Sequence, residues 1–223
     1  MKLVAINGSP HGMKGNTGKL LANLLAETQA AGVEITTFSL GETDIRPCRG
    51  CEACHRTGKC PIRDDFDKLK DVLQAADTIV LASPNYIFSV SAQLKAFCDR
   101  CSGVLHCQAW EGKYGAAVVT SGGPGADEVE GYLLRFLQAT GCWTVGSVGA
   151  EAFRLVAEDT RKVCFKAASD LGRQLVASVQ TKRSFPEQAA RRAAFAERMK
   201  QLITARRKQW PYEYQQWQAR GLV

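Results

Sequence analysis

The 223-residue sequence has no long apolar run; the stretch at residues 78–82 falls far short of the ~18 residues a membrane helix needs. It has only three histidines, His11, His55 and His106, and no spacing sets them in a triad with Ser and Asp. The G-x-S-x-G elbow of hydrolases is missing too, so nucleophilic acyl chemistry has no framework. A leader is not expected, because a core-like strand at 2–6 begins directly after Met1. Acidic residues run short at one end only. Residues 182–223 carry ten Lys/Arg against three Asp/Glu and residues 1–181 carry 19 of each, so the whole net charge of +7 lies in the tail. No nucleic-acid-binding motif accompanies that charge; it reads as a solvated helix face, and nucleic acid is not the expected partner. Cysteine is abundant, with nine residues. An odd number without a leader argues for a reducing, cytoplasmic setting and for metal, redox or inert thiols rather than a disulfide framework.

With 45% hydrophobic and 23% charged residues, the chain can bury one sizeable core and carry an appendage. Short Val/Ile-rich runs at 2–7, 33–39, 77–83, 115–120 and 142–148 alternate with helical patterns at 16–31, 64–76, 90–101, 126–140 and 159–180. That rhythm predicts an α/β fold, a doubly wound parallel sheet of five strands with helices on both faces. Leu20/Leu24, Leu21/Leu25, Phe66/Leu69/Leu73/Ala76 and Leu171/Leu175 fall on single helical faces, and Asp64 and Asp65 suit a helix N-terminus. Beyond residue 181 the pattern becomes a narrow stripe, Phe195, Met199 and Leu202, in a basic helix over 187–209 that no strand follows. That helix is expected to dock outside the core or on another subunit, with the aromatic end (Trp210, Tyr212, Tyr214, Trp217) packed on its own subunit. The expected organisation is a domain over 1–181, with a cysteine segment at 46–62, and a basic C-terminal helical extension over 182–223.

The first strand runs into Asn7-Gly8-Ser9-Pro10-His11-Gly12-Met13-Lys14-Gly15-Asn16-Thr17, and a helix follows. Amides, hydroxyls and the positive end of a helix dipole converge in such a loop, which suits a phosphate; the plain alternative is a flexible turn, although this loop is long for one. The Walker A spacing fails, since Gly18-Lys19 is followed by Leu20, and so does the dinucleotide G-x-G-x-x-G with its acidic partner. With Ser83-Pro84-Asn85-Tyr86 after the third strand, Lys95 and Asp99-Arg100 on the next helix, and Thr120-Ser121-Gly122-Gly123 after the fourth, the chain resembles the flavodoxin-like NAD(P)H-dependent FMN reductases over residues 1–180. The resemblance implies strand order 2-1-3-4-5, with FMN at the switch point where these loops meet. It further implies that Ser9, Asn16 and Thr17 hold the phosphate, with Met13, Lys14 and Gly15 nearby. Pro84, Asn85, Tyr86 and Ile87 would border the isoalloxazine, Ser121, Gly122 and Gly123 would approach its pyrimidine edge, and Thr120 and His11 would belong to the same cofactor-binding set. His11 stands where relatives often carry Arg. Lys95, Asp99 and Arg100 read as a structural ion-pair group.

Cys48, Cys51, Cys54 and Cys60 form C-x2-C-x2-C-x5-C, close to the ferredoxin run C-x2-C-x2-C-x3-C-P and ending, as that run does, in Cys-Pro. A 4Fe-4S cluster fits this spacing. Structural zinc usually takes two separated pairs, and the Cys-x-x-Cys-His haem pattern would need export. The segment resembles that of the iron-sulfur flavoproteins, a subgroup of the same family. That resemblance implies that these four cysteines ligate the cluster, that it exchanges electrons with FMN across a subunit contact in a homodimer or homotetramer, and that NAD(P)H or a redox partner protein is the electron source. A flavin or quinone reductase without a cluster and a zinc-held docking module remain as alternatives. Cys98, Cys101, Cys107, Cys142 and Cys164 read as core thiols.

Overall fold

A computed structural model describes all 223 residues. Five parallel strands, β1 (Lys2–Asn7), β2 (Glu34–Ser39), β3 (Thr78–Pro84), β4 (Tyr114–Ser121) and β5 (Trp143–Glu151), pair in the order β2-β1-β3-β4-β5. The chain winds outward one way from β1 to β2 and the other way from β3 to β5, so a switch point lies between β1 and β3. The central strands β3 and β4 are buried at every residue, as a sheet covered on both faces requires. Alternate residues of β1 divide between the two layers. Val4 and Ile6 join one core with α3 (Phe66–Gln74), α4 (Ala92–Arg100) and α6 (Ala126–Ala139). Leu3 and Ala5 join the other with α1 (Asn16–Ala30) and α7 (Glu158–Gln180).

The sheet, its order and the five helices α1, α3, α4, α6 and α7 agree with the expectation. Two five-residue helices interrupt stretches that carry no helical period, α2 (Ala53–Thr57) and α5 (Ser102–His106). The extension differs from the single expected helix: it forms α8 (Pro186–Ala205) and α9 (Pro211–Ala219), because Pro211, which starts a helix well and continues one badly, splits it. α8 meets the free edge of β5 at Thr144. The Gln188 amide accepts from Thr144 N at 3.0 Å and donates to Thr144 O at 2.7 Å, as a neighbouring strand would. The aromatic end packs on its own chain, where Trp210 and Trp217 join Met199 and Ile203 in a small separate core. No helix is long and apolar enough to cross a membrane.

Candidate functional site

Three loops at the carboxyl ends of β1, β3 and β4 close on one cleft of about 170 Å³, lined among others by Ser9, Asn16, Thr17, Asn85, Thr120 and Ser121. His11, Pro84, Tyr86 and Gly122 complete most of the wall. Buried hydroxyls tie the loops together. Thr17 and Thr120 share a 2.6 Å hydrogen bond, Ser91 Oγ donates to Gly8 O at 2.6 Å, and Ser83 Oγ accepts from Ser91 N at 3.0 Å. Ser9 N donates to Asn7 Oδ1 and His11 N to Ser9 Oγ, which sets the first loop's curve. α1 then begins with no side-chain cap and no acid in its first turn, so its positive end faces the cleft uncompensated. Gly18 permits that start, because a Cβ there would overlap the backbone of Met13 and Gly12.

The remaining residues that the sequence singled out lie around the cleft rather than in its wall. Met13 is turned back, receiving Asn7 Nδ2 on its sulfur, Lys14 is exposed, and Gly15 packs beside Ser9 and His11. Gly123 accepts from Ser121 Oγ at 2.5 Å. Ile87 sits with Phe88 at the tip of a turn closed by Tyr86 and Ser89, both at positive φ (48° and 62°) and exposed by 90% and 79%. That conformation resists β-branched residues, so the tip is strained as well as apolar. Two observations suit a flat, polar-edged ligand. The buried Asn85 Oδ1 has no hydrogen-bond partner, and Cβ atoms built at Gly122 or Gly123 would meet nothing within 4 Å.

The second site is the cysteine segment. Cys48, Cys51, Cys54 and Cys60 all line one cavity of about 300 Å³, the first two exposed and the others half-buried. Three left-handed residues, Gly50, Glu52 and Gly58, curl the backbone round it, and Gly50 N donates to Cys48 Sγ at 3.4 Å. Arg100 lines the same cavity with a side chain only 1% exposed, held by Asp64 at 2.7 and 3.1 Å and by Arg46 O at 2.9 Å. Its Nε is a buried donor without an acceptor. An unsatisfied N–H beside four thiols fits sulfur ligands carrying negative charge. Between residues 46 and 63, Arg46, Arg49, Arg56, Lys59 and Arg63 stand against the single acid Glu52, a positive excess that would offset the negative charge of a sulfur-ligated centre. The expected group is only partly formed, for Lys95 pairs with Asp99 while Arg100 turns to Asp64.

The other five thiols are buried. Burial pushes Cys98, Cys107 and Cys142 up to about 12 and Cys101 well above its ordinary value, so they stay protonated and inert. Spacing missed one cluster: His55 and His106 meet the fully buried carboxylate of Glu213, from α9. For His55, burial pulls the pKa down, but hydrogen bonds with Cys54 and Glu213 outweigh it and raise it to about 10. The two rings stack at 4.8 Å. A further cavity of about 640 Å³ lies between the cysteine segment, α3, α5 and α9, away from the three-loop cleft.

Residues 1–153 match the model of a family described as NADPH-dependent FMN reductase. An iron-sulfur flavoprotein of Archaeoglobus fulgidus is 37% identical over 183 residues, 82% of this chain and 82% of that one. One from Methanosarcina thermophila is 37% identical over 125 residues, 55% of this chain and 64% of the relative. Among solved structures, an NADH:FMN oxidoreductase in its apo form superposes with a TM-score of 0.58 at 24% identity, covering 84% of this chain and 92% of the other. A flavodoxin from the domain Archaea gives 0.51 at 15% identity, covering 78% and 99%, and these two likenesses support the fold alone.

Proposed function

The chain belongs to the NADPH-dependent FMN reductase family and is an FMN-dependent oxidoreductase, and from that premise we propose that it is an iron-sulfur flavoprotein relaying electrons between FMN and a 4Fe-4S cluster. The observation that carries the cluster is the set of four cysteines around one cavity beside the orphaned Arg100 Nε. When bound, FMN exchanges electrons in pairs with a hydride donor such as NAD(P)H and singly with a cluster. In this reading Ser9, Asn16 and Thr17, with the open amides of α1, hold the phosphate. Pro84, Asn85, Tyr86 and Ile87 border the ring, and Asn85 Oδ1 supplies a hydrogen-bond acceptor to it. Thr120, Ser121, Gly122 and Gly123 bring backbone close to its edge, the glycines leaving the room. Cys48, Cys51, Cys54 and Cys60 hold the cluster, Arg100 gives an N–H to a ligating sulfur, and the exposure of Cys48 and Cys51 leaves a path for a redox partner protein.

The cleft of about 170 Å³ falls below the roughly 300 Å³ of a pocket that encloses a ligand of this size. Its rim is exposed and apolar: Tyr86, Ile87 and Phe88 on one side, Phe153 and Val156 just beyond the cleft-lining Ala152. A second copy of the chain supplies the missing wall, in a homodimer or homotetramer.

Cys60→Ser in anaerobically purified protein tests the relay. Loss of iron and acid-labile sulfide with flavin retained is the expected result. Unchanged metal content, zinc in place of iron, or rapid NAD(P)H:quinone turnover by a Cys48→Ser protein contradicts it.

A further inference from the structure

The extension is not idle cover. We infer that Glu213 is a positioning residue for the four-cysteine segment, through which α9 holds that loop in the shape its thiols need for ligation. The inference rests on the cluster reading for its effect on iron retention, but its geometry stands in the protein without metal.

Glu213 is fully buried, and its two carboxylate oxygens are shared between His55 Nδ1 at 2.5 Å and His106 Nδ1 at 3.1 Å. A buried carboxylate is tolerated only with its partners in place, so the position of α9 and that of the two imidazoles determine each other. His55 lies between Cys54 and Cys60, and His106 closes α5. Trp210, at the start of α9, lies against both rings with centroids 4.7 and 5.1 Å away. Its indole Nε1 donates to Glu52 Oε2 at 3.1 Å. Glu52 stands at φ 57°, a conformation a non-glycine side chain resists, between Cys51 and Cys54. Gly58, at φ 74°, packs so close to the Tyr212 ring that a Cβ would fall on it. Residues 52, 55 and 58, every third position, are thus gripped from the extension. Cys51 and Cys54 each come one residue before a gripped one and face the cavity. Nothing in α8 or α9 lines the three-loop cleft, so flavin content serves as an internal control.

The test uses full-length Glu213→Gln, which keeps the shape and loses the charge. Hydrogen exchange over residues 50–60 in cluster-free protein should quicken roughly 10-fold, and iron release from anaerobically reconstituted protein to a ferrous chelator should quicken by a similar factor, the scale seen when a metal ligand loses its outer support. Flavin stoichiometry and exchange in the sheet stay as in wild type. Should Glu213→Gln fail to fold, His106→Ala carries the same expectation, and His106→Asn, whose amide nitrogen replaces Nδ1 as a donor, restores slow release. Equal exchange and equal release in wild type and variant overturn the inference. Wild-type protein that takes up no iron removes the cluster reading alone, and the exchange comparison in cluster-free protein still decides the role of Glu213.

Discussion

Arg100 meets its surroundings with every polar atom but one satisfied, and the carboxylate that holds it, Asp64, has no exposed side-chain surface. Breaking such a buried pair leaves one charge uncompensated, so Arg100→Ala should lower the unfolding free energy by about 3–5 kcal/mol in urea titrations. The pair also has a pH signature. Burial pushes Asp64 upward, but hydrogen bonds from Arg100, Arg46 and Phe66 outweigh it and hold its carboxyl below the ordinary 3.8. Its contribution is therefore complete above the unfolded value and lost as pH falls through the lower folded value. The stability gap between wild type and Asp64→Asn should shrink as pH drops below about 3.8; a gap that widens there contradicts the pairing. In the cleft, Thr17 is tied to Thr120 and faces the proposed phosphate. Thr17→Val removes one hydroxyl and should weaken FMN binding by roughly 10-fold, about 1.4 kcal/mol, read from quenching of flavin fluorescence; unchanged affinity would separate Thr17 from the ligand.

Helix α1 shows why elements this regular were legible. Leu20, Leu21, Leu24 and Leu25 recur on one face and are all buried against α7 and the sheet, so periodicity alone locates the helix. Its close entry is another matter: Gly18 packs against the Met13 backbone, and Gly18→Ala should cost about 1–3 kcal/mol of stability and displace the first loop, seen as a lower melting temperature together with weaker FMN binding. Helices of five residues, α2 and α5, span too little chain to display a period, and only their tertiary neighbours hold them. The division of the extension at Pro211 was readable in principle, since proline at a helix start is a local signal; the aromatic residues around it suggested packing and hid the helix. What α9 packs on was not readable at all, because Glu213 and His55 are 158 residues apart.

Across the whole molecule, sheet order and switch point follow from strand rhythm joined to a family resemblance, and the three-loop cleft falls where that order places it. The strained Tyr86–Ser89 turn and the exposed Phe153 and Val156 lie beyond any periodicity, since each depends on what stands opposite rather than on neighbours in sequence. Light scattering should give a dimer or tetramer at micromolar concentration, and Phe88→Asp should shift it toward monomer and lower flavin occupancy; a wild-type monomer with full flavin contradicts the shared-wall proposal. The most direct measurement is electron paramagnetic resonance of anaerobically purified, dithionite-reduced protein, with flavin, iron and acid-labile sulfide quantified on the same sample. One FMN and one 4Fe-4S cluster per chain are expected, with the reduced cluster signal present. FMN without iron or sulfide, or zinc bound at the four thiols, would contradict it.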